Sequence, residues 1–258
     1  MWPFYGFVLA HIATGAVGLV TFWIAVLSKK GGFTHRRWGR VFNWMMLATG
    51  CIATAISICT LVSPLETHPH LDGNLRDPAL IRGIFGWMML YLAILTINLA
   101  WYGWQSVTNK RHHQRNLEWR NLALQVALTV AAANCAYQGW RIDQPLMMGI
   151  SIVGFATVAT NLYFLYKPHR RPADWLNEHI KALVGAGISV YTAFFAFGAV
   201  RLMPELALHP VLWAIPLTTG LAIIIYHQRE VARKFSKARP QTDRNVERIS
   251  MRADLEGN

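Results

Sequence analysis

The chain has 258 residues, of which 53% are hydrophobic, 12% aromatic and 15% charged, with a formal charge of +12. Soluble domains carry about 25% charged residues, and the mean hydropathy here is +0.26, so an ordinary soluble enzyme and a disordered chain are both excluded. The basic charge does not point to nucleic acid, which needs a basic face on a soluble fold; here Lys and Arg fall in short bursts between long apolar runs.

A bilayer core about 30 Å thick takes a helix of about 20 mostly apolar residues. Seven stretches meet that length: Phe4–Ser28, Val41–Ser63, Ile84–Trp104, Asn121–Trp140, Leu146–Tyr166, His179–Met203 and Val211–Tyr226. Asn121, Gln125 and Asn134 dilute the fourth, and Pro216 interrupts the short seventh. Nothing alternates as barrel strands would. The expected fold is an all-α polytopic membrane helix bundle of seven transmembrane helices. Residues 1–227 form one transmembrane domain and 228–258 a basic cytosolic tail. No basic segment precedes the first apolar run, which is therefore expected to stay as a span rather than be cleaved.

Orientation follows from the basic residues. With the N-terminus outside, 21 of the 25 Lys and Arg fall on the cytosolic side and only Arg76, Arg82, Arg141 and Arg201 on the other. The expected partners are the lipid bilayer and anionic lipid headgroups at the cytosolic face. The three cysteines all fall inside apolar runs with no C-x-x-C spacing, so no disulfide framework is read.

The first cytosolic turn runs Lys30-Gly31-Gly32-Phe33-Thr34-His35-Arg36-Arg37-Trp38-Gly39-Arg40. His11-Ile-Ala-Thr-Gly15 lies ahead of it. Trp175-Leu-Asn-Glu-His179, Tyr191-Thr-Ala-Phe194 and Pro216-Leu-Thr-Thr-Gly220 follow later. This order resembles a bacterial family of predicted multi-pass membrane proteins known as a domain of unknown function. Its pattern is an intramembrane His, a Lys-Gly-x-x-x-His-Arg-x-x-Gly-Arg turn and a late His opening another span. The resemblance implies a bacterial inner membrane and a fold of about seven helices, and brings no activity with it.

Few residues in the spans can carry chemistry. No Asp, Glu, Lys or Arg lies at mid-depth in the seven stretches, which argues against a proton-coupled pump. The patterns H-E-x-x-H, G-x-S-x-G and Walker A are absent, as are the histidine clusters of membrane di-iron enzymes, so no catalytic set is assigned and the reading leans away from an enzyme. His11 is the ionisable side chain inside the apolar zone, where hydrogen bonding to a neighbouring carbonyl is the plain role. His35 opens the second stretch's basic turn and His179 opens the sixth, so the two share a depth. Glu66, His68, His70 and Asp72 alternate in an outer loop. An extended strand would set all four on one side, but the prolines mark an ordinary loop, and no metal site is assigned there.

Three function classes follow. The first is an electron-transfer membrane protein that holds haem b or a metal through His11, His35 and His179. An outer site would pair His11 with His68 or His70, and an inner one His35 with His179. Ligation across an iron needs ring nitrogens about 4 Å apart, and Arg36, Arg37, Arg40 and Lys181 would attract propionates or phosphates. The second is a carrier for a small, largely apolar solute, lined by Asn43, Asn98, Gln125, Asn134, Asn161 and Tyr191. The third is a non-catalytic partner or assembly factor that makes contact through its basic tail.

Overall fold

A computed structural model describes residues 2–69, 71, 76–198 and 210–237. Seven long helices dominate the described residues: α1 (Trp2–Leu27), α2 (Phe33–Val62), α3 (Pro78–Thr108), α4 (Trp119–Arg141), α5 (Pro145–Tyr166), α6 (Asp174–Ala193) and α7 (Pro210–Lys237). No strand occurs among these residues. Six of the seven are long and apolar enough to cross a membrane, which is the build of a multi-pass helical membrane protein. The exception is α4, whose 23 residues suffice in length but carry the amides that dilute it.

Local sequence explains where the helices begin and end. Gly31, at φ +74, turns the chain after α1 in a region costly for residues with a Cβ. Asp77 caps α3 by accepting from the Ala79 amide at 2.9 Å, with Pro78 at the first helical position. Between α4 and α5 the chain closes a Schellman turn: Gln144 N donates to Gly139 O (2.8 Å) and Asp143 N to Trp140 O (3.4 Å). Asp143 holds the left-handed position, at φ 52. Two π-helical segments interrupt the regular winding: Arg82–Met88 within α3, and Phe194–Gly198, which continues α6.

Helix α3 is the hub. It packs against α2, α4 and α6, while α1 lies on α2, α5 on α4 and α7 on α6. Half of its apolar stretch is buried, against a third or less for the other five apolar helices. Tyrosine hydroxyls tie the bundle together by donating across helices: Tyr91 to Ile150 O and Tyr191 to Leu19 O, each at 2.8 Å. Glycines allow close helix approach in lipid. A Cβ on Gly103 would sit 2.8 Å from Leu183 and 3.0 Å from Ala182, so α3 and α6 come together there only because that side chain is missing. The outer faces stay apolar, with Leu9, Val20, Trp44, Val130, Ile152 and Tyr163 exposed. Hydrocarbon, not water, suits that surface.

Several boundaries differ from the expected ones. Helix α2 starts at Phe33 rather than Val41, so most of the basic turn is helical. Helix α7 runs through Pro216 and on to Lys237 instead of stopping at Tyr226. The expected extended row of Glu66, His68, His70 and Asp72 is corrected in part: Pro64 starts a helical turn over Pro64–Thr67 that contains Glu66. His68 stacks on Phe85 with ring centres 4.4 Å apart. His70, Asp72, Arg201 and the chain beyond Lys237 lie outside the described residues.

Candidate histidine site at the basic end of the bundle

The last carbonyls of an α-helix have no amide partner within the helix, and at the end of α1 side chains take them. Ala25 O accepts from His35 Nδ1 at 2.9 Å, and Val26 O accepts from the Lys30 ammonium. A carbonyl can only accept, so His35 carries its proton on Nδ1. The negative end of the α1 dipole reinforces both contacts.

His179 is held in the same way. At the close approach of α3 and α6, its Nδ1 donates to Gly103 O at 3.1 Å. The two imidazoles then meet with ring centres 6.4 Å apart and planes at 80°. Both are half-buried. In the neutral ring Nε2 is then the lone-pair nitrogen, and among the described residues neither Nε2 makes a hydrogen bond. Fixing the tautomer and ring orientation through the other nitrogen is how proteins prepare a histidine ligand.

Residues that sequence reasoning missed surround this pair. On α7, His227 Nδ1 lies 3.5 Å from Glu230 Oε2, Glu230 also pairs with Lys234 at 2.6 Å, and His227 is within electrostatic reach of His35 and Lys30. Burial holds the Lys30 ammonium below its ordinary value, and the Glu230 carboxylate opposes that shift. Beside His179, Glu178 accepts from the Tyr102 hydroxyl at 2.8 Å and pairs with Lys181 at 2.5 Å. The polar end of the bundle thus couples α1, α2, α3, α6 and α7.

His11 stands apart from this site. Its Nδ1 donates to Thr49 O at 3.2 Å, and Thr49 Oγ1 donates to Thr14 Oγ1 at 2.8 Å, so the imidazole points at α2 and not at lipid. His68 is engaged elsewhere, on Phe85 and the Thr67 hydroxyl (3.0 Å). An outer histidine pair therefore does not form from these two.

Three of the six residues expected to line a polar path meet inside the bundle. Asn161 Nδ2 donates to Asn98 Oδ1 (3.3 Å) and to Gln125 Oε1 (3.2 Å), joining α5, α3 and α4. All three amides are at most 2% exposed. Among the described residues no three His, Cys, Asp or Glu side chains are placed to close around one ion. No family model matches the chain, nor does any curated protein or any solved structure.

Proposed function

We propose that this chain is an electron-transfer protein of the bacterial inner membrane, in which His35 and His179 bind haem b at the cytosolic face. The observation that carries this reading is the histidine pair itself. Two imidazoles that would share one metal, at about 2.0–2.1 Å per bond, would bring their ring centres within roughly 6–6.5 Å of each other. The observed separation is 6.4 Å, with each Nδ1 already anchored on a carbonyl. A bare metal ion needs three or four protein ligands, whereas haem needs only axial ones from the chain. Two histidines without a third ligand therefore favour haem over a free ion. The group would supply reversible one-electron chemistry; the chain's own part is to fix both ring orientations and to surround them with Lys30, Arg36, Arg37 and Arg40 as partners for propionates.

The same reading takes all seven helices as spans, with α4 shielded by its packing on α3 and α5 and the N-terminus outside, as the basic residues suggest. It also takes the chain as a member of the family that the Lys30–Arg40 turn resembles. The carrier alternative draws on the amides of Asn98, Gln125 and Asn161, which bond to one another across three helices. The test is the visible spectrum of protein purified from haem-replete membranes. A Soret band, sharpening on reduction to a low-spin spectrum, is expected. A colourless preparation overturns the proposal.

A further inference from the structure

At the same end of the bundle, reaching Trp175 one helical turn before His179, the α3–α4 and α5–α6 loops line a cleft of about 250 Å³. The α3–α4 loop contributes Lys110 and Arg111, and the α5–α6 loop contributes Arg170 and Arg171. Its floor holds the buried amides Asn109 and Asn116, linked at 2.9 Å. Trp175, with the Lys110 ammonium 5.3 Å above its ring, and Phe164 form an apolar wall.

We propose that this cleft is a binding site for a phosphate-bearing anion, either the headgroup of an anionic phospholipid or a soluble phosphate. Charge carries the argument. The one acid in the lining is Asp174, and it is already compensated: its Oδ2 accepts from Lys167 Nζ at 2.7 Å and from Arg171 N at 2.9 Å. No carboxylate among the described residues pairs with Lys110, Arg111, Arg170 or Arg171. Four like charges on two facing loops repel one another unless an anion lies between them, and guanidinium pairs suit phosphate oxygens in particular. Size narrows the class. Drug-sized ligands fill pockets of roughly 300–1,000 Å³, so this smaller space fits a headgroup or a phosphate and not a dinucleotide. His113 stands at the rim with Nε2 donating to Leu165 O at 3.0 Å and its ring 5.0 Å from Phe164, which fixes the loop.

The test compares full-length wild type with two charge-removal pairs, Arg170→Gln with Arg171→Gln and Lys110→Gln with Arg111→Gln. Lys29→Gln with Arg229→Gln is the charge-matched control outside the cleft. All six side chains are exposed, and circular dichroism with gel filtration verifies folding. One arm titrates inorganic phosphate into detergent-solubilised protein and follows the thermal midpoint. The other counts phosphatidylglycerol retained by native mass spectrometry from nanodiscs of phosphatidylcholine with phosphatidylglycerol. We expect both cleft pairs to weaken one ligand roughly tenfold, the effect of losing a charge-assisted contact, with the control pair unchanged. Loss in the nanodisc arm names the lipid, and loss in the phosphate arm names a soluble anion. Equal binding by wild type and both cleft pairs in both arms overturns the site, and so does an equal loss in the control pair.

Discussion

Two polar regions inside this bundle solve the same problem differently. At the junction of α3, α4 and α5, the amides of Asn98, Gln125 and Asn161 bond sideways to one another in full burial. At the basic end, His35 and His179 each bond by Nδ1 to a backbone carbonyl, and their rings stand 6.4 Å apart with planes at 80°. The amide group joins three helices, although Asn98 Nδ2, Gln125 Nε2 and Asn161 Oδ1 make no hydrogen bond among the described residues. The imidazole pair is held firmly but left chemically open. Unused bonding capacity occurs in both regions, so what sets the imidazole pair apart is its ligand chemistry and its fixed ring orientation.

The comparison predicts a hierarchy of effects. His35→Ala or His179→Ala should abolish haem binding, a loss beyond the 10–100-fold typical of outer-shell partners. His11→Ala, away from the pair, should leave the spectrum intact. Retention of the low-spin spectrum in both single variants at the pair would break the distinction. Next in size is Gly139→Ala. Its Cβ would stand 2.7 Å from Met147 Cβ, 3.1 Å from Gln144 O and 3.2 Å from Met148 N, mostly atoms that cannot turn away. Overpacking of this kind costs about 1–3 kcal/mol, visible as a lower thermal midpoint with unchanged haem content.

Asn161→Leu tests the amide region. It removes two interhelical hydrogen bonds, each worth about 0.6–1.7 kcal/mol in membrane proteins, and should lower the thermal midpoint without altering the spectrum. A spectral change here, with the midpoint intact, would mean that the amides serve the site. The smallest effect belongs to His113, outside the spans. Burial, with help from Arg170, holds its imidazole below the ordinary value, and the Leu165 carbonyl opposes that shift. Lys110, Arg111 and Arg171 line the same cleft, with Asp174 as the only acid. Between the lowered folded value and the ordinary value of about 6.5, the unfolded loop binds more protons, so stability is lost as pH falls below that ordinary value. Amide-exchange protection over His113–Leu117, after correction for the intrinsic pH dependence of exchange, should fall on acidification by less than about 1 kcal/mol. Greater corrected protection at low pH would reverse the sign and contradict the assignment.

Much of this was legible from residues alone. Helix positions followed from apolar length, and the shared depth of His35 and His179 followed from each opening a helix on the same side. The orphan carbonyl of Ala25 and the glycine contact at Gly103 were not legible, because both depend on which helices become neighbours. His227 and Glu230 escaped because Pro216 and the onset of charge suggested an early end to α7. A signal was present: Glu230 and Lys234 stand four apart, and Ile224 and Val231, both buried, stand seven apart. Helical spacing thus continues past Tyr226.

The π-helical segment Arg82–Met88 has a consequence for chain length. A π turn holds one more residue than the α turn it replaces, so it behaves as an insertion that the hub helix has absorbed. Deleting one residue elsewhere in α3 would rotate everything beyond it by about 100°, pulling Tyr91, Asn98 and Tyr102 away from Ile150, Asn161 and Glu178. Deleting Phe85, inside the segment and only half-buried, would let the winding relax to a regular helix with both flanks still in phase. The shorter protein should fold and run as a single species on gel filtration, while a chain lacking Ile97 should not. If both deletions are tolerated, or neither is, the segment is not a spare residue in an otherwise regular helix.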